Sequence, residues 1–253
     1  MAARRRKVGI GLFVLLLVVV GLLVAVDRVG AAAAENLIAD QAAKEMTARH
    51  ISTAQRPDVS VGGFPFLTQV LAGRYDKVTI RLKEPATDRV KLESLTMTAA
   101  PVHAPLRTIT SHRGQVTADV VTGTATMTWA EVTKLLEVAG APGIDPSSVE
   151  LNVVDNQIRL RIPFAARGFQ GAITATGSLA VTGGKVRVNL TNVAAEGANV
   201  PPLVTQLIKS AAKNVTLSLN IPNMPYDMKV NKVETTATGI VATASADHVR
   251  LAG

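Results

Sequence analysis

The beginning of the chain limits what the rest can be. Arg4-Arg5-Arg6-Lys7 is followed by VGIGLFVLLLVVVGLLVAV, Val8 to Val26, with no charged or strongly polar residue inside. A helix of these 19 residues is about 28 Å long, close to the thickness of a bilayer's hydrocarbon core. A secretory signal usually has a shorter apolar region, about 7–15 residues, ending at a small-residue cleavage site. Ala31 to Ala34 offer such residues, but only beyond Asp27 and Arg28. The run therefore reads as an uncleaved single-pass anchor, with a cleaved signal as the alternative. In either case the basic flank stays in the cytoplasm and the remainder is exported. The expected division is a cytoplasmic basic tail (1–7), an anchor or signal segment (8–26) and one exported domain (27–253).

Charge and composition follow from that division. Residues 1–30 hold five Lys or Arg and one Asp, so half of the formal net charge of +8 belongs to the targeting segment. No basic cluster beyond it carries interleaved aromatics, so no nucleic-acid partner is expected. There are no cysteines, which excludes disulfides, thiolate metal sites and Cys nucleophiles. The exported part must rely on its core alone.

The sequence after the anchor changes period once. In AAAAENLIADQAAKEMTARH, Ala34, Ile38, Ala42 and Met46 recur at four-residue spacing, which predicts an amphipathic helix with a small-residue stripe. From Pro57 the period becomes two. KVTIRLK sets Val78, Ile80 and Leu82 against Thr79 and Arg81, and Val/Thr alternation recurs to the end of the chain. In VKLESLTMTAA the apolar parity shifts near Ser94, from Val90 and Leu92 to Leu95 and Met97. Two short helices are expected among the strands. One is TWAEVTKLLEVAG, with Trp129, Val132, Leu135, Leu136 and Ala139 on one side, and the other is NVPPLVTQLIKSAAK. The pattern predicts one α+β domain, mostly antiparallel β.

The common catalytic signatures are missing together. There is no G-x-S-x-G elbow and no phosphate-binding glycine loop. His50, His103, His112 and His248 show no metal-ligand spacing, so no catalytic residue, metal or cofactor is expected. Aliphatic strands with only 3% aromatics can either fill an ordinary core or leave a long apolar groove, and pattern alone favours the filled core.

One stretch shifts that balance. GGFPFLTQVLAGRYDKV, Gly62 to Val78, holds two of the five phenylalanines on either side of Pro65. It resembles the LmeA-like phospholipid-binding family of the actinobacterial cell envelope, through Gly63, Phe64, Pro65, Phe66, Leu67, Thr68, Gln69, Gly73, Tyr75 and Val78. Pro142 to Asp145 and the LRIPF element ending at Phe164 are similar as well. The resemblance implies an elongated fold like the tubular lipid-binding (TULIP, BPI-like) proteins, in which a strongly curved sheet wraps a long N-terminal helix and encloses acyl chains. It also implies phospholipid as partner, of phosphatidylinositol type, and a role in mannolipid (lipomannan) maturation. Protein partners are not indicated.

The resulting expectation is an exported, membrane-anchored, non-enzymatic protein that shelters acyl chains in an apolar groove. The rivals are an envelope scaffold with a filled core and a hydrolase or transferase acting on glycolipids. Lipid contacts are expected from Phe64, Phe66, Leu67, Val78, Ile80, Leu82, Trp129, Leu136 and Phe164, and headgroup contacts from Arg74 and Lys77. Pro65 should splay the two rings, and Leu67, Val70 and Leu71 should form a helical turn ending at Gly73. The Phe-Pro-Phe knot is then either the mouth of the groove or a structural corner sealing one end of the fold.

Overall fold

The computed structural model describes residues 2–88, 90–111, 114–134, 136–139, 148–154, 157–166, 169–183, 185–196, 206, 210, 216–219 and 224–252. The first element, α1, is one unbroken helix, Ala2–Ala48. By length and composition it can cross a membrane. Apolar side chains at Phe13 and from Leu15 to Val26 stand exposed along it. From Asp27 onward the helix docks. Ala31 and Ala39 are buried, and Ala34 and Ile38 pack against the core. Of the small-residue stripe expected at Ala34, Ile38, Ala42 and Met46, Ala34 and Ile38 belong to this docking face, and Ala42 and Met46 are half-buried.

The first sheet is built from β1 (Asp58–Gly62), β2 (Arg74–Tyr75), β3 (Lys77–Lys83), β4 (Ser94–His103), β5 (Val116–Thr128), β12 (Lys229–Thr235) and β13 (Gly239–Ala252). Its order is β1-β3-β4-β5-β13-β12, with β2 paired to β4, and every pairing is antiparallel. Period-two alternation gives the sheet two chemically distinct faces. One row across four strands reads Leu82, Leu95, Ala125, Ala242, and the next row reads Arg81, Thr96, Thr124, Thr243. Aliphatic residues form the inner face and threonines the outer one. The parity shift noted near Ser94 marks the start of β4, with Val90 and Leu92 in the segment before it.

The second sheet contains β6 (Leu136–Ala139), β7 (Glu150–Val154), β8 (Gln157–Ala166), β9 (Phe169–Thr182), β10 (Lys185–Glu196) and β11 (Thr216–Leu219), in the order β6-β11-β10-β9-β8-β7. Its inner face carries Ile158, Leu160, Ala175, Val186 and Val188, all buried. Among the described residues, the sheets are joined in these places. β12 packs on β9 and β10, and the short helix α4 (Trp129–Lys134) touches β5, β7 and β13, with its Val132 only 1% exposed.

The observed α+β architecture with mostly antiparallel strands matches the sequence reading. Three details differ. The helix expected to run from Trp129 to Ala139 stops at Lys134, and Leu136–Ala139 forms β6 against β11. Leu136 and Val138 alternate with Glu137, and pairing with Thr216–Leu219 outweighs the local helical pattern. The sheets are open, and α1 lies chiefly along β1 and the helix α2 (Phe66–Ala72) rather than inside a closed wrap. A further short helix, α3 (Leu106–Ser111), was not expected from the pattern. Most of the expected second helix, NVPPLVTQLIKSAAK, lies outside the described residues.

Candidate functional site

The Phe-Pro-Phe stretch forms a tight knot at the end of the first sheet nearest the apolar helix. Gly63 adopts φ +92°, a region that only glycine enters without strain, and a Cβ there would collide with Asp76 and sit 2.7 Å from Gln69 Nε2. The chain then crosses Pro65 and turns into α2. Phe66 points inward and meets the buried Tyr75 ring at 6.1 Å, whereas Phe64 is 62% exposed beneath the Arg28 guanidinium, 5.1 Å away. The splay of the two rings is therefore an inside–outside division. Burial pushes the Tyr75 hydroxyl above its ordinary pKa. The Asp76 amide donates to buried Gln69 Oε1 at 2.8 Å, tying α2 to the junction of β2 and β3. α2 ends at Gly73 in the left-handed conformation (φ 64°), packed on Pro105, as the expected turn requires.

The same knot is fastened to the long helix. Asp27 is buried, and its Oδ1 accepts from the Leu67 amide at 2.8 Å while Oδ2 pairs with Arg28 at 2.7 Å. Gly30 faces α2, where an added Cβ would meet the Phe66 ring at 3.5 Å, an ordinary van der Waals contact.

At the other end of the first sheet, between it and the second, lies a cavity of about 290 Å³. β4 supplies Leu95 and Met97, β5 Gly123, Ala125 and Met127, and β13 Ile240, Ala242 and Ala244. Met224, Pro225 and Met228, around a 3₁₀ turn, close one side, with Val230 of β12 and Val186 of the second sheet. The segment between β3 and β4 adds Val90, Leu92 and Thr87, the last being the only hydroxyl-bearing residue among the described lining residues. Among the described lining residues none carries a charge, and Thr87 alone offers a side-chain hydrogen-bonding group. The rest can only offer dispersion contacts and exclude water, which suits a hydrocarbon chain.

The cavity-lining segment is held by backbone and ionic ties. Ser52 and Ala86 exchange amide hydrogen bonds at 2.9 Å, which joins the segment to the chain just beyond α1. Lys91 pairs with Glu84, and the Lys91 amide donates to Glu131 of α4 at 3.2 Å. The hydrogen bond and charge of Lys91 hold the Glu84 carboxyl below the ordinary range, and those of Lys134 do the same for Glu131.

The residues expected to contact lipid fall in two places. Val78, Ile80 and Leu82 are half-buried on the inner face, in register with Ala99, Met97 and Leu95, so they share the cavity's face one strand away from it. Trp129 is half-buried at the start of α4, two residues after Met127, and its Nε1 lacks a partner among the described residues. Phe64, Phe66, Leu67, Arg74 and Lys77 belong to the knot, with Arg74 and Lys77 exposed. Arg74 registers with His103, six residues along β4 from Met97, which is about 20 Å of strand. The side chains of Leu136 and Phe164 lie outside the described residues. None of the expected residues is among those described as lining the cavity.

Sequence reasoning missed the methionines. The chain has six, and Met97, Met127, Met224 and Met228 all line the cavity. Methionine is flexible and polarisable, and it is favoured where a surface must adapt to varied apolar partners. Its concentration in an aromatic-poor body was the available signal.

The described residues thus combine an apolar pocket between two open sheets with an N-terminal helix long and apolar enough to cross a membrane. The model of the LmeA-like phospholipid-binding family matches residues 25–245, and the chain belongs to that family. No curated protein and no solved structure matches it.

Proposed function

We propose that this chain is a membrane-anchored, exported phospholipid-binding protein that shelters acyl chain in the cavity between its two sheets. The observation that carries this reading is the lining itself, aliphatic and methionine side chains throughout apart from Thr87. Each buried methylene contributes about 0.8 kcal/mol, so about ten methylenes supply roughly 8 kcal/mol before the costs of ordering. A volume of about 290 Å³ lies at the small end of ligand pockets and suits a length of acyl chain rather than a whole phospholipid. On this reading the two open sheets correspond to the tube of the lipid-binding fold the resemblance implies. Binding is non-covalent, with no catalytic step.

The uncleaved anchor draws support from the burial of Asp27 and Ala31. Cleavage at Ala31 to Ala34 would remove the carboxylate that holds the Leu67 amide. The basic tail before the span favours a cytoplasmic N-terminus and an exported body. A phosphatidylinositol-type ligand and a part in mannolipid biogenesis are the finer expectations from the family.

Native mass spectrometry of the full chain after mild detergent extraction tests the reading. The expected spectrum shows protein carrying co-purified phospholipid, whose headgroup identifies the class. Protein that retains none, and takes up none from phosphatidylinositol or phosphatidylglycerol micelles, overturns it.

A further inference from the structure

Outside α1, the exposed large apolar side chains among the described residues include Phe64, Leu67, Leu71 and Leu106. Three of these belong to the knot and α2. Leu106 follows Pro105, which packs on the Gly73 cap of α2, and the Ala104 amide donates to the Gly73 carbonyl at 2.9 Å. Leu71 is 82% exposed, more than any other large apolar residue described. Water gains nothing from such a cluster, and the protein core does not cover it.

Its position in the molecule identifies what does. The apolar span ends at Val26, and the next residue, Asp27, bonds the first turn of α2 through the Leu67 amide. α1 lies against Phe66 and Leu67 at Gly30. α2 is therefore fixed at the level where the span leaves the hydrocarbon. Arg28 stands over the Phe64 ring, and Arg74 and Lys77 are exposed beside the motif. Apolar side chains rimmed by basic ones at that level match a bilayer interface with anionic headgroups.

We propose that α2 rests in the bilayer surface on the exported side, with Phe64, Leu67 and Leu71 among the headgroups and upper acyl carbons. It would form a second membrane contact that sets the orientation of the body on its anchor. A single helix alone leaves the body free to swing, whereas two contacts joined by the Asp27–Leu67 bond fix its tilt. The proposal rests on Val8–Val26 spanning the bilayer, but not on lipid occupying the cavity.

The chain has no cysteine, so single nitroxide labels can be placed without background changes. Three full-length variants, Val19→Cys, Leu71→Cys and Leu37→Cys, are reconstituted in phosphatidylcholine–phosphatidylglycerol nanodiscs. Val19 reports the span. Leu37 is 70% exposed on α1 and lies ten residues beyond Asp27, about 15 Å of helix. All three side chains are exposed, so labelling leaves the fold intact. Collisional accessibility to oxygen and to a nickel chelate gives depth. Expected is an oxygen-to-nickel ratio at Leu71 several-fold above that at Leu37 and below that at Val19. A Leu71 ratio equal to that of Leu37, with Val19 in the hydrocarbon, overturns the proposal. A Val19 label in water overturns the anchor and the proposal together.

Discussion

Filling the cavity is the most direct challenge to the lipid reading. Ala242 lines it from β13, and Thr243 points to the opposite face of the same strand, in register with Thr124. A benzene molecule fits a cavity of about 150 Å³, so the ring of Ala242→Phe takes roughly half of the 290 Å³ here. Each methylene denied burial forfeits about 0.8 kcal/mol, so displacing about five weakens binding by about 4 kcal/mol, roughly a thousandfold. The ring enters open space, so the cost to the fold stays within the range of about 1–3 kcal/mol typical of overpacking. The assay is phospholipid per protein by native mass spectrometry, with melting by circular dichroism beside it. Ala242→Phe is expected to lose its lipid while Thr243→Phe keeps it. Ala125→Phe, the registered neighbour on β5, repeats the test should Ala242→Phe fail to fold. Equal lipid content in folded Ala242→Phe and Thr243→Phe would show that acyl chain does not occupy this space.

Two further predictions probe the supports of the site. Gly63→Ala forces a side chain onto a φ of +92° and into Asp76, so a loss of about 1–3 kcal/mol in stability is expected, read as a lowered melting temperature. An unchanged melting temperature would mean that the knot is loose. The segment between β3 and β4 should respond to acid in a definite direction. Glu84 and Glu131 have carboxyls held below their ordinary range, so their ties are fully present above that range and are lost as pH falls through the lowered values. Amide protection at residues 86–88 and 90–92, corrected for intrinsic exchange, should be flat through neutral pH and drop only in acid. Lys91→Ala should show the lower protection at neutral pH already.

How far this was readable from sequence depends on the distance over which each feature is determined. The knot was legible because Gly63, Pro65 and Gly73 impose backbone geometry locally, and Phe66 and Gln69 find partners, Tyr75 and Asp76, within ten residues. The face of β3 was legible because Val78, Ile80 and Leu82 simply alternate. The cavity was not, because Met97 and Met228 meet only when β4 and the 3₁₀ turn are brought together by β5, β13 and β12. Pairing order of that kind leaves no periodic trace. Leu136 shows the reverse error: a helical pattern was present, and a strand partner more than seventy residues away overrode it. The motif that carries the resemblance therefore maps to the end of the first sheet beside the apolar helix and not to the pocket.

That separation shapes how such a protein would work. α1 runs from Asp27, bonded to α2, to Ala48, a rise of about 32 Å, and the chain just beyond it pairs with the segment that lines the cavity. On the proposed reading the cavity would sit well above the level where the span ends, so an acyl chain inside it would have left the bilayer rather than being gripped within it. Methionine methyl groups can report this directly. With ¹³C-methyl methionine in the full chain, four of the six methyl signals come from Met97, Met127, Met224 and Met228, and a fifth from Met46 on α1. Adding a short-chain phospholipid to the delipidated protein should shift the four cavity signals together and leave Met46 in place. Saturation at one common concentration would mark a single site. Shifts confined to Met46, or spread over all signals in proportion to lipid, would indicate adsorption on the surface and would remove the cavity from the mechanism.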